Sequence, residues 1–236
     1  MSERIEDLQC QGLKIIQDSD LYAFTSDSVI LANFIKTKSK DVVVEIGAGS
    51  GVISILVQAK NKLKKIYAFE IQECMQKICK KNIELNDLSQ NIELISDDIK
   101  NFDKYLQKPV DVVFSNPPYF NTTNFEQSDV NKIAKEETCL TCEQLVECAS
   151  KMLKFGGVFY VCYSAERSCE LISNCCKYAL ESKEMFFTEN GKGKTKLFVL
   201  KAVKGGKHGV EVLPNLITND KDGKYLEDLH TKNIKN

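Results

Sequence analysis

Apolar residues in this chain come in short runs of strand length, most of them followed by a stretch with helical spacing. Asp41-Val42-Val43-Val44-Glu45-Ile46 is nearly continuous in its hydrophobicity, as suits a strand covered on both faces of a parallel sheet. A turn at Gly47-Ala48-Gly49-Ser50-Gly51 leads into a helix over 52–60. The rhythm continues with a strand over 65–70 and a helix over 72–86 that carries Met75, Ile78, Cys79 and Ile83 on one side. Strands follow over 91–96 and 110–115, then a helix over 143–153, a strand over 157–162 and a helix over 166–180. Strand patterns at 183–188 and 196–203 have no long helix between them, as in a hairpin. This order predicts an α/β fold: a doubly wound, seven-stranded, mostly parallel sheet with an antiparallel edge. Ahead of it, residues 12–17 read as a short strand, and Thr25-Ser26-Asp27 offers N-caps for a helix over 29–35. No repeat or low-complexity linker divides the chain. It reads as one domain, with an N-terminal extension over 1–40, a core over 41–205 and a C-terminal extension over 206–236.

The strand over 110–115 ends in Asn116-Pro117-Pro118-Tyr119-Phe120. Two prolines cannot donate to a sheet ladder and stiffen the backbone just past the strand, while the first biases Asn116 towards an extended conformation. Asn116 is therefore expected at the carboxyl end of a strand with its amide held out, followed by a rigid corner and a ring. An amide oxygen, proline carbonyls and a flat ring suit a planar heterocycle bearing an amino group, whose amine donates to the carbonyls and whose face stacks on the ring. The plain alternative is a tight Pro-Pro turn with a packed tyrosine.

Glu45, Gly47, Gly49 and Gly51 sit where a Rossmann-like sheet has its first turn, and glycines there let backbone approach a ligand closely. Their spacing is not the dinucleotide-binding G-x-G-x-x-G. Glu70 ends the second strand, where an acid can hold ribose hydroxyls, and Asp97-Asp98 ends the third, within reach of an adenine amine. Together they describe an adenosine-bearing ligand along the carboxyl edge of the sheet, at the switch point where Asn116 also emerges.

Bulk properties narrow the choices little. The 236 residues are 43% hydrophobic and 28% charged, with a net charge of −1, so any contact with a polyanion must be local. The ten cysteines do not follow an apolar leader, and the opening Met1-Ser2-Glu3-Arg4-Ile5-Glu6-Asp7 is charged; both point to buried thiols in a reducing cytoplasm and to no membrane segment. Cys139-Leu140-Thr141-Cys142 is a single CxxC without the second half a structural zinc needs, so no metal is expected. Residues 190–210 hold Lys192, Lys194, Lys196, Lys201, Lys204 and Lys207 and no acid, either a polyanion contact or a strand edge blunted by lysine.

Glu45-x-Gly47-x-Gly49-x-Gly51, the strand-two acid and Asn116-Pro117-Pro118-Tyr119 resemble the class I S-adenosylmethionine-dependent methyltransferases that modify an exocyclic amine. Phe24-Thr25-Ser26-Asp27, Phe120, Leu213-Pro214-Asn215-Leu216-Ile217 and Asp222-Gly223-Lys224-Tyr225 extend the resemblance to the tRNA1(Val) adenine-37 N6-methyltransferase family, over nearly the whole chain. One departure is Ala134-Lys135-Glu136-Glu137, where that family commonly has Ala-Arg-His-Glu.

The resemblance implies methyl transfer from S-adenosylmethionine to the N6 amine of adenine in tRNA, by a monomer. Asn116, Pro117, Pro118 and Tyr119 would form the catalytic corner. Thr25, Asp27, Glu45, Gly47, Gly49, Gly51, Glu70, Ile71, Asp97, Asp98, Ile99 and Asn116 would hold the cofactor, and Tyr119, Phe120, Lys192 and Lys194 would contact RNA. Asp98 is favoured over Asp97, since it precedes Ile99 as the family's strand-three acid does. Rival readings are an N5-glutamine methyltransferase acting on a protein such as a release factor, and a non-catalytic RNA-binding module.

Overall fold

The computed structural model describes residues 3–18, 26–118 and 140–219. Its centre is the sheet that the hydrophobic runs predict. Strands β3 (Val42–Ile46), β4 (Lys65–Phe69), β5 (Ile92–Ile95), β6 (Val110–Ser115) and β7 (Leu153–Ser164) pair in parallel, in the order β5-β4-β3-β6-β7. β8 (Leu180–Glu189) and β9 (Thr195–Lys204) form the expected hairpin, and β9 lies between β7 and β8, antiparallel to both.

Alternation along each strand builds two cores. Val43, Val112, Phe114, Tyr160 and Cys162 face one side, against helices α1 (Ser26–Phe34), α2 (Val52–Asn61) and α3 (Glu73–Leu85). Val44, Ile46, Val113, Phe159 and Val161 face the other, against α4 (Cys142–Met152) and α5 (Ser168–Lys177). Both faces are covered, which is why these runs read as continuous rather than alternating. Fully buried Phe114, Phe159 and Phe198 each contribute about 1.5–3 kcal/mol of burial. Thr141 caps α4, its hydroxyl accepting from Gln144 N at 3.1 Å while the Gln144 side chain accepts from Thr141 N at 3.0 Å.

Several elements differ from expectation. The helix over 166–180 is a short 3-10 turn, Ala165–Arg167, followed by α5, and Ala179 in the left-handed region (φ 56°) ends it so that Leu180 already opens β8. A 3-10 segment, Ile99–Lys104, occupies what read as connection. Seven strands become nine because β10 (Glu211–Val212) and β11 (Leu216–Ile217) each add two residues alongside β8. The N-terminal strand over 12–17 is one arm of a separate hairpin, β1 (Glu3–Asp7) with β2 (Lys14–Asp18). β1 gives little signal because Ile5 is its only apolar residue, and that side chain is 61% exposed.

Candidate functional site

Four strand ends meet at the carboxyl edge around one cavity of about 240 Å3. β3 contributes the glycine turn, β4 contributes Glu70 and Ile71, β5 contributes Asp97, Asp98 and Ile99, and β6 contributes Ser115, Asn116 and Pro117-Pro118. This is the switch point: β3 neighbours both β4 and β6, and Ile46 pairs with Ser115. The Ser115 hydroxyl ties the two strand ends further by donating to Ile46 O at 2.8 Å.

The turn needs its glycines. Gly47, Gly49 and Gly51 all have positive φ, at 72°, 55° and 83°. A Cβ on Gly51 would in addition stand 2.8 Å from Cys79 Sγ on α3, so the turn packs against that helix with no room to spare.

Glu70 holds the turn from the sheet side. It is 5% exposed, and its carboxylate accepts from Gly49 N at 2.7 Å and from Gln72 N at 2.8 Å. Burial raises its pKa above the ordinary carboxylate value. Two backbone donors use about half of the carboxylate's acceptor capacity, so hydroxyls of a ligand can still be met. Glu45 is wholly buried beneath the turn. One of its oxygens accepts from the Ser54 hydroxyl, and Oε1 has no hydrogen-bond partner although it belongs to a cavity-lining residue. Burial, with the nearby Glu70 charge adding to it, pushes Glu45 up to about 8. An orphaned buried carboxylate oxygen beside a cavity fits a cationic or hydrogen-bond-donating ligand group.

The two aspartates at the end of β5 differ. Asp97 is used by the protein: Asn101 and Asp98 N donate to Oδ1 at 2.8 and 2.7 Å, and the Tyr105 hydroxyl donates to Oδ2 at 2.8 Å. These bonds, the Asn101 one foremost, hold its pKa below the usual range. Asp98 starts the 3-10 segment by accepting from Lys100 N at 2.9 Å. Both line the cavity.

Asn116 Nδ2 donates to the Ser28 hydroxyl at 3.3 Å, linking the Asn116-Pro117-Pro118 corner to α1. Ser28, rather than Asp27, represents α1 at the cavity wall. Asp27 is buried outside that lining and accepts from the Ser26 hydroxyl at 3.3 Å. Lys192 and Lys194 lie in the β8–β9 loop, where both backbone N–H groups donate to Asn190 Oδ1. The pairing of Leu197 with Ser164 puts this loop at the same carboxyl edge as the cavity. Thr25, Tyr119, Phe120 and the Ala134–Glu137 stretch lie outside the described residues, as does Cys139. No group of three or more metal-ligating side chains occurs among the described residues, nor any helix long and apolar enough to cross a membrane.

Motif reading missed Ser28, which lines the cavity, and Asn82, which lies outside the lining and donates to Ser50 O in the glycine turn. Ser28 could have been picked from the Thr25-Ser26-Asp27-Ser28 cluster, where caps and, through the resemblance, the cofactor contacts Thr25 and Asp27 were read but Ser28 was not. Asn82 could have been picked as a polar residue inside the apolar stripe of α3, since such a residue must find buried partners.

Comparison with known proteins bears on the family and the fold. A protein of Dyadobacter fermentans named tRNA1(Val) (adenine(37)-N6)-methyltransferase is 24% identical over 209 residues, 88% of this chain and 86% of the relative. Yersinia proteins of the same name match over 137 residues, 58% of this chain but only 55% of theirs. A Methanocaldococcus jannaschii protein provisionally named as a protein N5-glutamine methyltransferase is 36% identical over 123 residues, 52% of this chain and 59% of that protein. Among solved structures, a predicted O-methyltransferase of Agrobacterium tumefaciens superposes with a TM-score of 0.68 at 18% identity, covering 88% of this chain and 96% of that one, which supports the shared fold. The family described as "Methyltransferase small domain" matches residues 23–186, from the approach to α1 through most of β8, and this chain belongs to it.

Proposed function

We propose that this protein is an S-adenosylmethionine-dependent methyltransferase that methylates the N6 amine of adenine in tRNA, with adenine-37 of the tRNA1(Val) anticodon loop as the substrate best supported. The observation that carries the reading is the shared cavity: the Asn116-Pro117-Pro118 corner and the glycine turn with Glu70 and Asp98 line one space. The residues fit the cofactor. Glu45 has an orphaned oxygen that would meet a cationic amino group, Glu70 has acceptor capacity that would meet ribose hydroxyls, and Asp98, Ile71 and Ile99 line the same cavity and would flank an adenine.

When bound, S-adenosylmethionine supplies a methyl group on a sulfonium, an electrophile that needs no further activation. The chain's own work is then positioning and electrostatics. An adenine amine is a poor nucleophile because its lone pair is delocalised into the ring. The Asn116 oxygen and the Pro117 carbonyl would accept from it, favouring a pyramidal nitrogen whose lone pair faces the cavity. Ser28 supports this orientation by accepting from the amide nitrogen, and the amide oxygen is by its chemistry the Asn116 atom that accepts from an amine. Asn116 is a neutral amide and is not a general base. Tyr119 would stack on the base, worth about 1–3 kcal/mol in comparable sites. An anticodon-loop base is largely unpaired, so bringing it into a pocket costs less than in a duplex. Lys192 and Lys194, at the same sheet edge, would meet phosphates.

Glutamine methylation is the second reading, favoured by the 36% identity to the provisionally named glutamine methyltransferase. A carboxamide nitrogen is also a delocalised amine, and the same corner could orient it. That match covers about half of either chain, whereas the Dyadobacter match covers most of both, which supports the adenine reading. Unbridged cysteines among the described residues fit a reducing cytoplasm. Incubating the protein with methyl-labelled cofactor and either total tRNA or total protein, followed by nucleoside analysis, tests the reading. Label in N6-methyladenosine is expected; label in protein alone would overturn it.

A further inference from the structure

We propose that Asn82 is a positioning residue for the glycine turn, and that its amide couples cofactor binding to the docking of the N-terminal hairpin. The inference rests on the reading of that turn as the cofactor site. Helix α3 forms the outer wall of the turn, through Cys79 against Gly51 and Met75 against Gly49. Along the same face stands Asn82, fully buried. Its side chain bonds partners from two directions. Oδ1 accepts from Ile16 N at 2.6 Å, while Nδ2 donates to Ile16 O at 3.1 Å and to Ser50 O at 2.9 Å. Four residues on, Asn86 repeats the pattern: its oxygen accepts from Lys14 N at 3.0 Å and its nitrogen donates to Lys14 O at 2.8 Å and Asn82 O at 2.8 Å.

Side chains four apart on a helix rise in one row, and backbone groups two apart on a strand point the same way. Asn82 and Asn86 thus imitate a neighbouring strand for the free edge of β2. Only Asn82 reaches further. Ser50 lies between Gly49 and Gly51, so the turn is held on one side by Glu70 through Gly49 N and on the other by Asn82 through Ser50 O. One orientation of one amide satisfies both Ile16 and Ser50. If the hairpin leaves, that amide loses two of its partners and its hold on the Ser50 carbonyl. A ligand that stabilises the turn must then also stabilise the seated hairpin, because coupling of this kind is reciprocal.

The test combines calorimetry with S-adenosylhomocysteine and amide hydrogen exchange of residues 14–18. In the wild-type chain the ligand is expected to slow exchange in 14–18, although no atom of β2 lines the cavity. Asn82→Ala should weaken ligand affinity by about tenfold or more, the scale for a buried hydrogen-bonding network cut at one member, and should abolish that slowing. Asn86→Ala, which does not touch the turn, should speed exchange in the free protein but keep the ligand response. Wild-type exchange in 14–18 that ignores the ligand would overturn the coupling even if Asn82→Ala failed to fold. A folded Asn82→Ala with wild-type affinity would overturn the positioning role. Failure of the wild-type chain to bind S-adenosylhomocysteine would instead overturn the cofactor reading, and the two failures are thereby distinct.

Discussion

Glu70, at the end of β4, accepts a hydrogen bond from Gly49 N in the turn after β3 at 2.7 Å, so the acid that would face a ribose also sets the shape of the neighbouring turn. Its other oxygen accepts from Gln72 N, which makes the carboxylate a two-sided acceptor between two backbone donors. A carboxamide cannot do the same, because its NH2 would confront one of the two N–H groups. Glu70→Gln is therefore expected to leave a buried donor unpaired at a cost of about 1–3 kcal/mol. That corresponds to a melting temperature lower by roughly 2–12 °C for a chain of this size. Affinity for S-adenosylhomocysteine should fall with it. Scanning calorimetry and titration calorimetry check both, and a variant unchanged in both would separate Glu70 from the turn.

Glu45 sets a pH dependence of stability. Burial raises its folded-state pKa from the ordinary 4.5 to about 8, so the folded chain holds a proton that the unfolded chain releases. The stabilisation is fully present below about 4.5 and is lost as pH rises through 8. Glu70, raised in the same direction, has the same sign. Urea unfolding at several pH values should show stability falling between pH 5 and 8. Glu45→Gln can keep the bond to Ser54 and should remove most of that slope, with the largest relative gain at alkaline pH. A variant with the wild-type slope would show that Glu45 is ionised in the fold.

The sheet was legible because burial on both faces leaves a pattern that needs no partner information: Val42-Val43-Val44 and Val112-Val113-Phe114 read as strands wherever they pair. That the glycine turn, Glu70, Asp98 and Asn116 gather around one cavity was legible because strand ends are where an α/β sheet opens its crevice. What escaped depends on tertiary pairing. β1 is almost wholly polar and exists through its partner β2, and β10 and β11 are two-residue pairings along an edge. Ser28 reaches Asn116 across 88 positions, a distance that no local spacing encodes. Asn82 looked like one more residue of an amphipathic helix, and only the fold reveals which backbone groups it satisfies.

Lys192 and Lys194 are exposed in the β8–β9 loop, at the carboxyl edge, with their backbone rather than their side chains committed to Asn190. Replacing both by alanine should leave folding and cofactor affinity unchanged. Binding to tRNA should weaken, and the plot of log affinity against log salt should flatten by about one unit per lost phosphate contact. Filter binding across a salt series measures this. An unchanged slope would make them surface residues that blunt a strand edge.

Asn116 and Ser28 separate catalysis from packing. Asn116→Ala removes an amide oxygen at the end of β6 and leaves the glycine turn, Glu70 and the prolines in place. If the amide orients the target amine, single-turnover methyl transfer should fall by orders of magnitude, while binding of tRNA and of S-adenosylhomocysteine changes far less. Ser28→Ala keeps the oxygen but removes the hydroxyl that accepts from Nδ2 at 3.3 Å, and so loosens the amide's orientation. Its rate should fall by about tenfold, the scale of one modest hydrogen bond, and Ser28→Thr, which retains a hydroxyl, should recover most of it. Tyr119→Phe should be mild and Tyr119→Ala severe if the ring stacks on a base, since stacking needs the ring and not the hydroxyl. Rapid-quench measurement of one turnover on tRNA resolves the series. If Asn116 only terminated a strand, each variant would lose activity in proportion to its lost thermal stability, and a folded, tRNA-binding Asn116→Ala with a near-normal transfer rate would refute the proposed mechanism.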